Sequence, residues 1–226
     1  MTLVATPVTE GIIVDTNQKL SATEAQALYA AGVRAIGRYV FFRHPQGPGD
    51  LDAAELAALT DAGLIVFPIQ HVRMPGWTGS YAQGVADAVA GMANAAAAGF
   101  APGLGLALAL DLEGCKVGDP DQARGWCDTV AGHYQPLVYV GYASGMTTSD
   151  LDALAGDPRF WCDFAPFTAR PTPTRGYDLH QQAQTTMCGV GVDRDTLLTP
   201  GAFSGLAEAD AQSPDSSAGH VAAGGA

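Results

Sequence analysis

Four Ala-Gly pairs, Ala31-Gly32, Ala62-Gly63, Ala98-Gly99 and Ala131-Gly132, punctuate the first two thirds of this chain at spacings of 31, 36 and 33 residues. Each closes a helix-like segment and precedes an apolar stretch: VRAIGRYV, LIVFPIQ, FAPGLGLALAL and, after a short turn, LVYVGY. Glycine just past a helix end supplies the left-handed residue that stops a helix. Recurrence at this period is the mark of successive strand-helix units. The helix starts agree. Ser21 with Glu24 makes a capping box, Asp50 precedes LDAAELAAL, and Asp119-Pro120 sets a cap before a first-turn proline.

Strands are expected near Gly11 to Asp15, Val33 to Tyr39, Leu64 to Gln70, Leu106 to Glu113, Leu137 to Gly141, Phe160 to Phe164, Tyr177 to Gln184 and Gly191 to Asp195. Eight strands joined mostly by helices predict an α/β fold, a compact (β/α)8 TIM-like barrel with the later helices short or missing. The rival, a doubly wound open sheet, lacks its Gly-rich dinucleotide fingerprint. From Ser204 the chain runs SGLAEADAQSPDSSAGHVAAGGA, mostly small and polar, so the reading is a barrel over 1–203 and a disordered tail over 204–226, with His220 solvated.

Alternation places the chemistry. In LGLALALDLEG, Leu106, Leu108, Leu110 and Leu112 fall on one face, and Ala107, Ala109, Asp111 and Glu113 on the other. Two carboxylates at i and i+2 lie about 6 to 7 Å apart along a strand rising roughly 3.3 Å per residue. Barrel strands deliver such side chains to the rim at their C-terminal ends. GIIVDT brings Asp15 and GVGVDRD brings Asp193 and Asp195, of which Asp195 could simply anchor a turn. Asp15, Asp111, Glu113 and Asp193 are therefore expected to converge. Like charges in a partly dry cleft cannot all stay ionised cheaply, and a retained proton makes a general acid. Glycoside hydrolysis uses such pairs. Solvated strand-end acids, or a carboxylate site for Mg²⁺ or Ca²⁺, are the competing readings.

These residues resemble a family. ALDLEG looks like the Asp-x-Glu strand of the family-25 glycoside hydrolases, the Chalaropsis-type lysozymes. From Gly11 to Leu198 the chain is similar to the bacterial glycoside-hydrolase-like TIM-barrel family related to them: GIIVDT, IGRYV, LVYVGY, FWCDF, YDLHQQAQT and GVGVDRDTL resemble its strands in order. The resemblance implies Glu113 as proton donor, Asp111 as its electrostatic partner, Asp15 and Asp193 as further acids, and Tyr139 and Gln181 as sugar contacts. Gln182 stands where an aromatic is common, and Cys162 and Asp163 where small apolar residues are usual.

Around the acids, Trp77 and Trp161 offer rings for sugar stacking or ordinary packing, and Arg38 either points into the mouth or makes a core-edge ion pair. His71 and His180 match no metal or triad spacing, and GYASG has the wrong spacing for a nucleophile elbow. Cys115, Cys127, Cys162 and Cys188 form no metal motif and read as free thiols in a reducing compartment. No metal or cofactor is expected.

The expected activity is hydrolysis of bacterial cell-wall peptidoglycan by a lysozyme (muramidase) type glycoside hydrolase. The alternative is a catalytically silent glycan-binding or structural barrel in a larger assembly such as a phage particle or injection apparatus, joined through the C-terminal tail. A net charge of -12, from 11 Lys+Arg against 23 Asp+Glu, opposes nucleic acid as a partner. No apolar run reaches membrane-spanning length, so no membrane insertion is expected. MTLVATPVTEG lacks the features of a signal peptide. The expectation is synthesis in the cytoplasm, then delivery to the envelope by a non-classical route or in a virion.

Overall fold

The computed structural model describes residues 2–71, 73, 76–103, 105–115, 117–141, 144–163 and 171–209. In chain order the elements are β1 (Leu3–Pro7), β2 (Ile12–Thr16), α1 (Ala22–Ala30), β3 (Val33–Val40), α2 (Ala53–Asp61), β4 (Ile65–Gln70), α3 (Tyr81–Ala98), β5 (Ala107–Asp111), α4 (Asp119–Val130), β6 (Gln135–Val140), α5 (Thr148–Asp152), β7 (Arg159–Cys162), β8 (Leu179–Gln181), β9 (Thr185–Met187), β10 (Val190–Leu197) and β11 (Ser204–Glu208).

Strands β2 to β8 run parallel, and β10 closes the ring between β8 and β2. This is the expected eight-stranded barrel, with every expected strand present. One feature differs. β10 is antiparallel to both its barrel neighbours and follows β9 through a hairpin rather than a helix. Its acids therefore stack from the rim downward: Asp193 pairs with Asp15, and Asp195 lies one layer deeper, opposite Ile13.

The glycine stops behave as read: Gly32, Gly63, Gly99 and Gly132 all take positive φ, between 86° and 120°. Two helix starts shift. Asp52, not Asp50, caps α2, and Gly118, not Asp119, occupies the cap position of α4. Asp50 instead accepts from Gly47 N at 2.7 Å, and Asp119 from Gly145 N at 2.7 Å, so both serve the rim loops.

Two separate apolar clusters confirm the alternation. Leu106, Leu108, Leu110 and Leu112 pack outward among helix residues such as Leu28, Leu56 and Trp126. Ala107 and Ala109 face inward with Ala35, Phe67, Leu137 and Trp161. The barrel floor is filled from outside the ring. β11 pairs with β1 and touches β4 at Leu206 opposite Val66, while β4 and β5 pair only at Ile69↔Ala109 and Gln70↔Leu110. A wedge of β1 and β11 thus fills the lower gap between β4 and β5. Ser204–Glu208, assigned to the tail by composition, is instead this wedge strand. Its small residues suit a tight gap, since a Cβ on Gly205 would lie 2.5 Å from Val66 O. Residues 210–226, including His220, lie outside the described residues.

None of the four cysteines is in a disulfide; Cys115, Cys127 and Cys162 are buried and Cys188 is exposed. Among the described residues no helix is long and apolar enough to cross a membrane.

Candidate active site

β2, β5 and β10 bring their acids to one mouth, β10 with the first half of an antiparallel strand rather than with a C-terminal strand end. Asp15 ends the inward face of β2, and Asp193 sits beside it on β10. Asp111 is the last residue of β5, and Glu113 lies in the turn that follows rather than in the strand. Asp111 Oδ1 accepts the backbone N–H of Glu113 at 3.0 Å, so the first carboxylate of Asp-x-Glu shapes the turn that presents the second.

Three neighbours seat Glu113. Its side chain lies across Gly141, where a Cβ would stand 2.3 Å from Glu113 Cγ, so the glycine of LVYVGY makes room for the acid. Tyr139 Oη lies 3.2 Å from Glu113 Oε1. Trp77 Nε1 donates to Glu113 O at 3.2 Å, and Gly76 N donates to Gly114 O at 2.8 Å. The loop after β4 is thereby stitched to the loop after β5, a contact continued by the Thr78↔Val117 bridge.

A polar rail crosses the mouth between the acids. Tyr139 Oη is 2.7 Å from Gln181 Oε1, with its single proton shared between that amide oxygen and Glu113. Gln181 Nε2 donates to Asp15 Oδ2 at 3.1 Å, and Tyr39 Oη donates to Asp15 Oδ1 at 3.3 Å. The rail fixes which oxygens of Asp15 and Glu113 face the protein. A cavity of about 70 Å³ opens beside it, lined by Asp15, Thr16, Asn17, Tyr39, Gln184, Gly191 and Asp193.

The electrostatics follow from burial and crowding. Burial and then Asp193 push Asp15 up to about 7, against the hydrogen bonds from Gln181 and Tyr39. Burial, then Glu113, holds Asp111 well above the usual carboxylate range. Asp193, half-buried, is raised by burial and by Glu113. Near neutral pH the cluster is thus partly protonated, because burial and mutual repulsion disfavour a full set of carboxylates. Among the described residues, no group of three or more His, Cys, Asp or Glu is arranged to hold a metal ion.

Two expected sugar contacts lie elsewhere. Arg38 is on the outward face of β3, fully buried, donating to Glu55 Oε1 at 2.7 Å and Oε2 at 3.2 Å. It fastens α2 to the barrel wall, because Tyr39, and not Arg38, has the inward parity. Trp161 is 1% exposed, packed edge-on against Tyr139 and Phe67 inside the barrel. It has no face for a sugar. Its Nε1 donates to Asp195 Oδ1 at 2.8 Å, and burial followed by Asp15 keeps Asp195 well above its ordinary range. Asp195 is therefore an interior residue beneath the mouth, not a turn anchor. Trp77, half-buried, stays at the mouth, but its indole N–H is spent on the Glu113 backbone. Tyr39 escaped the sequence reading; its inward parity on β3 with Ala35 and Gly37 was the available signal.

Comparison with known proteins adds family and fold. A family model described as "Rv2525c-like, glycoside hydrolase-like domain" matches residues 26–197. No curated protein matches the chain. Among solved structures, the chain is similar to the Mycobacterium tuberculosis Tat-secreted protein Rv2525c, with a TM-score of 0.63, 23% identity, and 86% of this chain and 98% of that one covered. It is also similar to GHIP, a glycosyl hydrolase 25 of Streptococcus pneumoniae, with a TM-score of 0.57, 14% identity and coverage of 83% and 87%. A third is the catalytic domain of endolysin ply40 from bacteriophage P40 of Listeria monocytogenes, at 0.55, 18%, and 85% and 93%.

Proposed function

We propose that this chain, which belongs to the Rv2525c-like, glycoside hydrolase-like family, is a lysozyme-type glycoside hydrolase acting on bacterial cell-wall peptidoglycan, with Glu113 as general acid. The observation that carries the reading is the seating of Glu113. It stands in a turn at the open mouth, braced by Gly141, Tyr139 and the Asp111 turn, while Asp15 and Asp111 are buried beneath it. From there it protonates the glycosidic oxygen as the bond breaks. Asp193, half-buried at the rim, supplies negative charge near the oxocarbenium-like sugar, while Asp111 holds the turn that presents Glu113. Gln181 and Tyr139 orient the two sides of the mouth. The names of the GHIP and ply40 neighbours support the substrate class, and the Tat secretion of the Rv2525c neighbour supports an address at the envelope.

One observation favours a second reading, glycan binding without turnover. The rail from Asp15 through Gln181 and Tyr139 to Glu113 already gives both end carboxyls partners within the protein. Digestion of purified peptidoglycan separates the two. Wild type should release reducing ends and Glu113→Gln should release at least about 100-fold fewer, the scale of a lost general acid. Equal release by both removes Glu113 from the mechanism. No release by a wild type that still binds the glycan favours the second reading.

A further inference from the structure

The loop after β3 carries a second built feature on the same rim. Asn94, fully buried on α3, donates its amide to two carbonyls that flank Phe42, Phe41 O at 2.9 Å and Arg43 O at 2.7 Å. Its Oδ1 lies 2.7 Å from His44 Nδ1. Gln46 fastens the loop again, accepting from Phe41 N at 3.3 Å and donating to Leu51 O at 2.7 Å. What this pinned loop presents is Phe42 with the exposed Arg43, whose guanidinium carbon stands 5.2 Å from the Phe42 ring centre. Arg73, from the loop after β4, approaches the same ring at 4.7 Å. Its charge is already met by a two-pronged ion pair with Asp87.

A line of rings joins Phe42 to the acids. Phe41 lies 4.5 Å from Phe42 and 6.5 Å from His71, His71 stacks on Tyr39 at 4.5 Å, and Tyr39 donates to Asp15. The rings form a shelf running outward from the mouth, and Arg43 stands at its end.

Among the described residues Arg43 is in no ion pair, in a chain with 23 Asp+Glu against 11 Lys+Arg. The guanidinium fork matches a carboxylate, and an aromatic face matches the apolar face of a sugar ring. The acids of the mouth repel an anionic glycan, so a fixed cation on the approach offsets that repulsion where it is needed. We propose that Phe42 and Arg43 form a subsite for a sugar that itself carries a carboxylate. The proposal rests on the glycan reading above and adds the charge of the sugar recognised.

The test uses the Glu113→Gln chain, so that turnover does not consume the probe, with and without Arg43→Gln. Three probes are compared by calorimetry: peptide-free peptidoglycan strands with free lactyl carboxylates, the same strands methyl-esterified, and a neutral N-acetylglucosamine oligomer. The parent should bind the free strands more tightly than the esters, and Arg43→Gln should cut that preference about tenfold, the scale of one charge-assisted contact. A preference that is absent in the parent, or unchanged by Arg43→Gln, overturns the subsite while leaving glycan binding intact. Equal weakening for all three probes also overturns it. A parent that binds none of them overturns the glycan reading and the subsite together.

Discussion

Asp15 and Asp111 are nearly sealed from solvent, at 1% and 6% exposure, whereas Glu113 in the following turn is reachable. Folding therefore changes what these acids do with protons. In the unfolded chain Asp15 loses its proton near pH 4, and in the folded protein near 7. Between those values the folded state binds more protons, so the stability present below about pH 4 is lost as pH rises through 7. Asp15→Asn is neutral throughout. It should melt about 5 °C above wild type at pH 8 and lose that advantage at pH 4, a difference that thermal melts across pH can read. At this scale the sequence shows the acids, because strand-end parity is local. It does not show partners found by folding: Arg38 meets Glu55 17 residues on, and Trp161 meets Asp195 34 residues on. Of the two alternatives open for each, Arg38 therefore takes the ion pair and Trp161 the packing. Gln181 and Tyr139 came from resemblance to a family and not from spacing, and the rail they form rests on three different strands.

Helices α3 and α4 pack backbone against backbone. A Cβ on Gly84 would lie 2.1 Å from Gln122 O, and one on Gly125 would lie 2.2 Å from Tyr81 O. Beneath the contact, Gln70 Nε2 donates to Asp87 O at 2.5 Å, Trp126 Nε1 to Gln70 Oε1 at 2.5 Å, and Gln122 Nε2 to Asp87 Oδ2 at 2.7 Å. The pair aims the loops that carry Trp77 and Glu113, since α3 begins just after one and α4 just after the other. Gly125→Ala gains helix propensity but must push the helices apart. It should cost about 1 to 3 kcal/mol by urea denaturation, and under the proposed function it should also lower release of reducing ends by disturbing the Trp77–Glu113 link. Periodicity places both helices within a few residues but is blind to this glycine contact, because a helical glycine reads simply as a weak helix former. It is equally blind to strand direction. GVGVDRD alternates the same way read up or down, so the antiparallel course of β10 became visible only once its partners were in place.

At the scale of the molecule, one end of the barrel is open and acidic and the other is stoppered. Phe203 packs at 5.2 Å from Phe67, and Val8, Ala202 and Ala207 fill the same inner cluster. Chains ending after Phe203 and after Ala209 differ by the whole of β11. The shorter one leaves β1 without its partner and exposes the floor beside Val66, so its urea midpoint should fall well below that of the longer one. Composition could not locate this boundary, because small residues read alike as a flexible tail and as a strand fitted to a narrow gap.

The wedge has a further consequence. Ala209 N donates to Thr2 O at 3.0 Å, so the chain enters and leaves the barrel side by side at its base. A tether fastened at either end pulls from the pole opposite the mouth. The barrel then hangs like a cup from its foot, with the acids and the Arg43 shelf turned toward whatever lies beyond the leash.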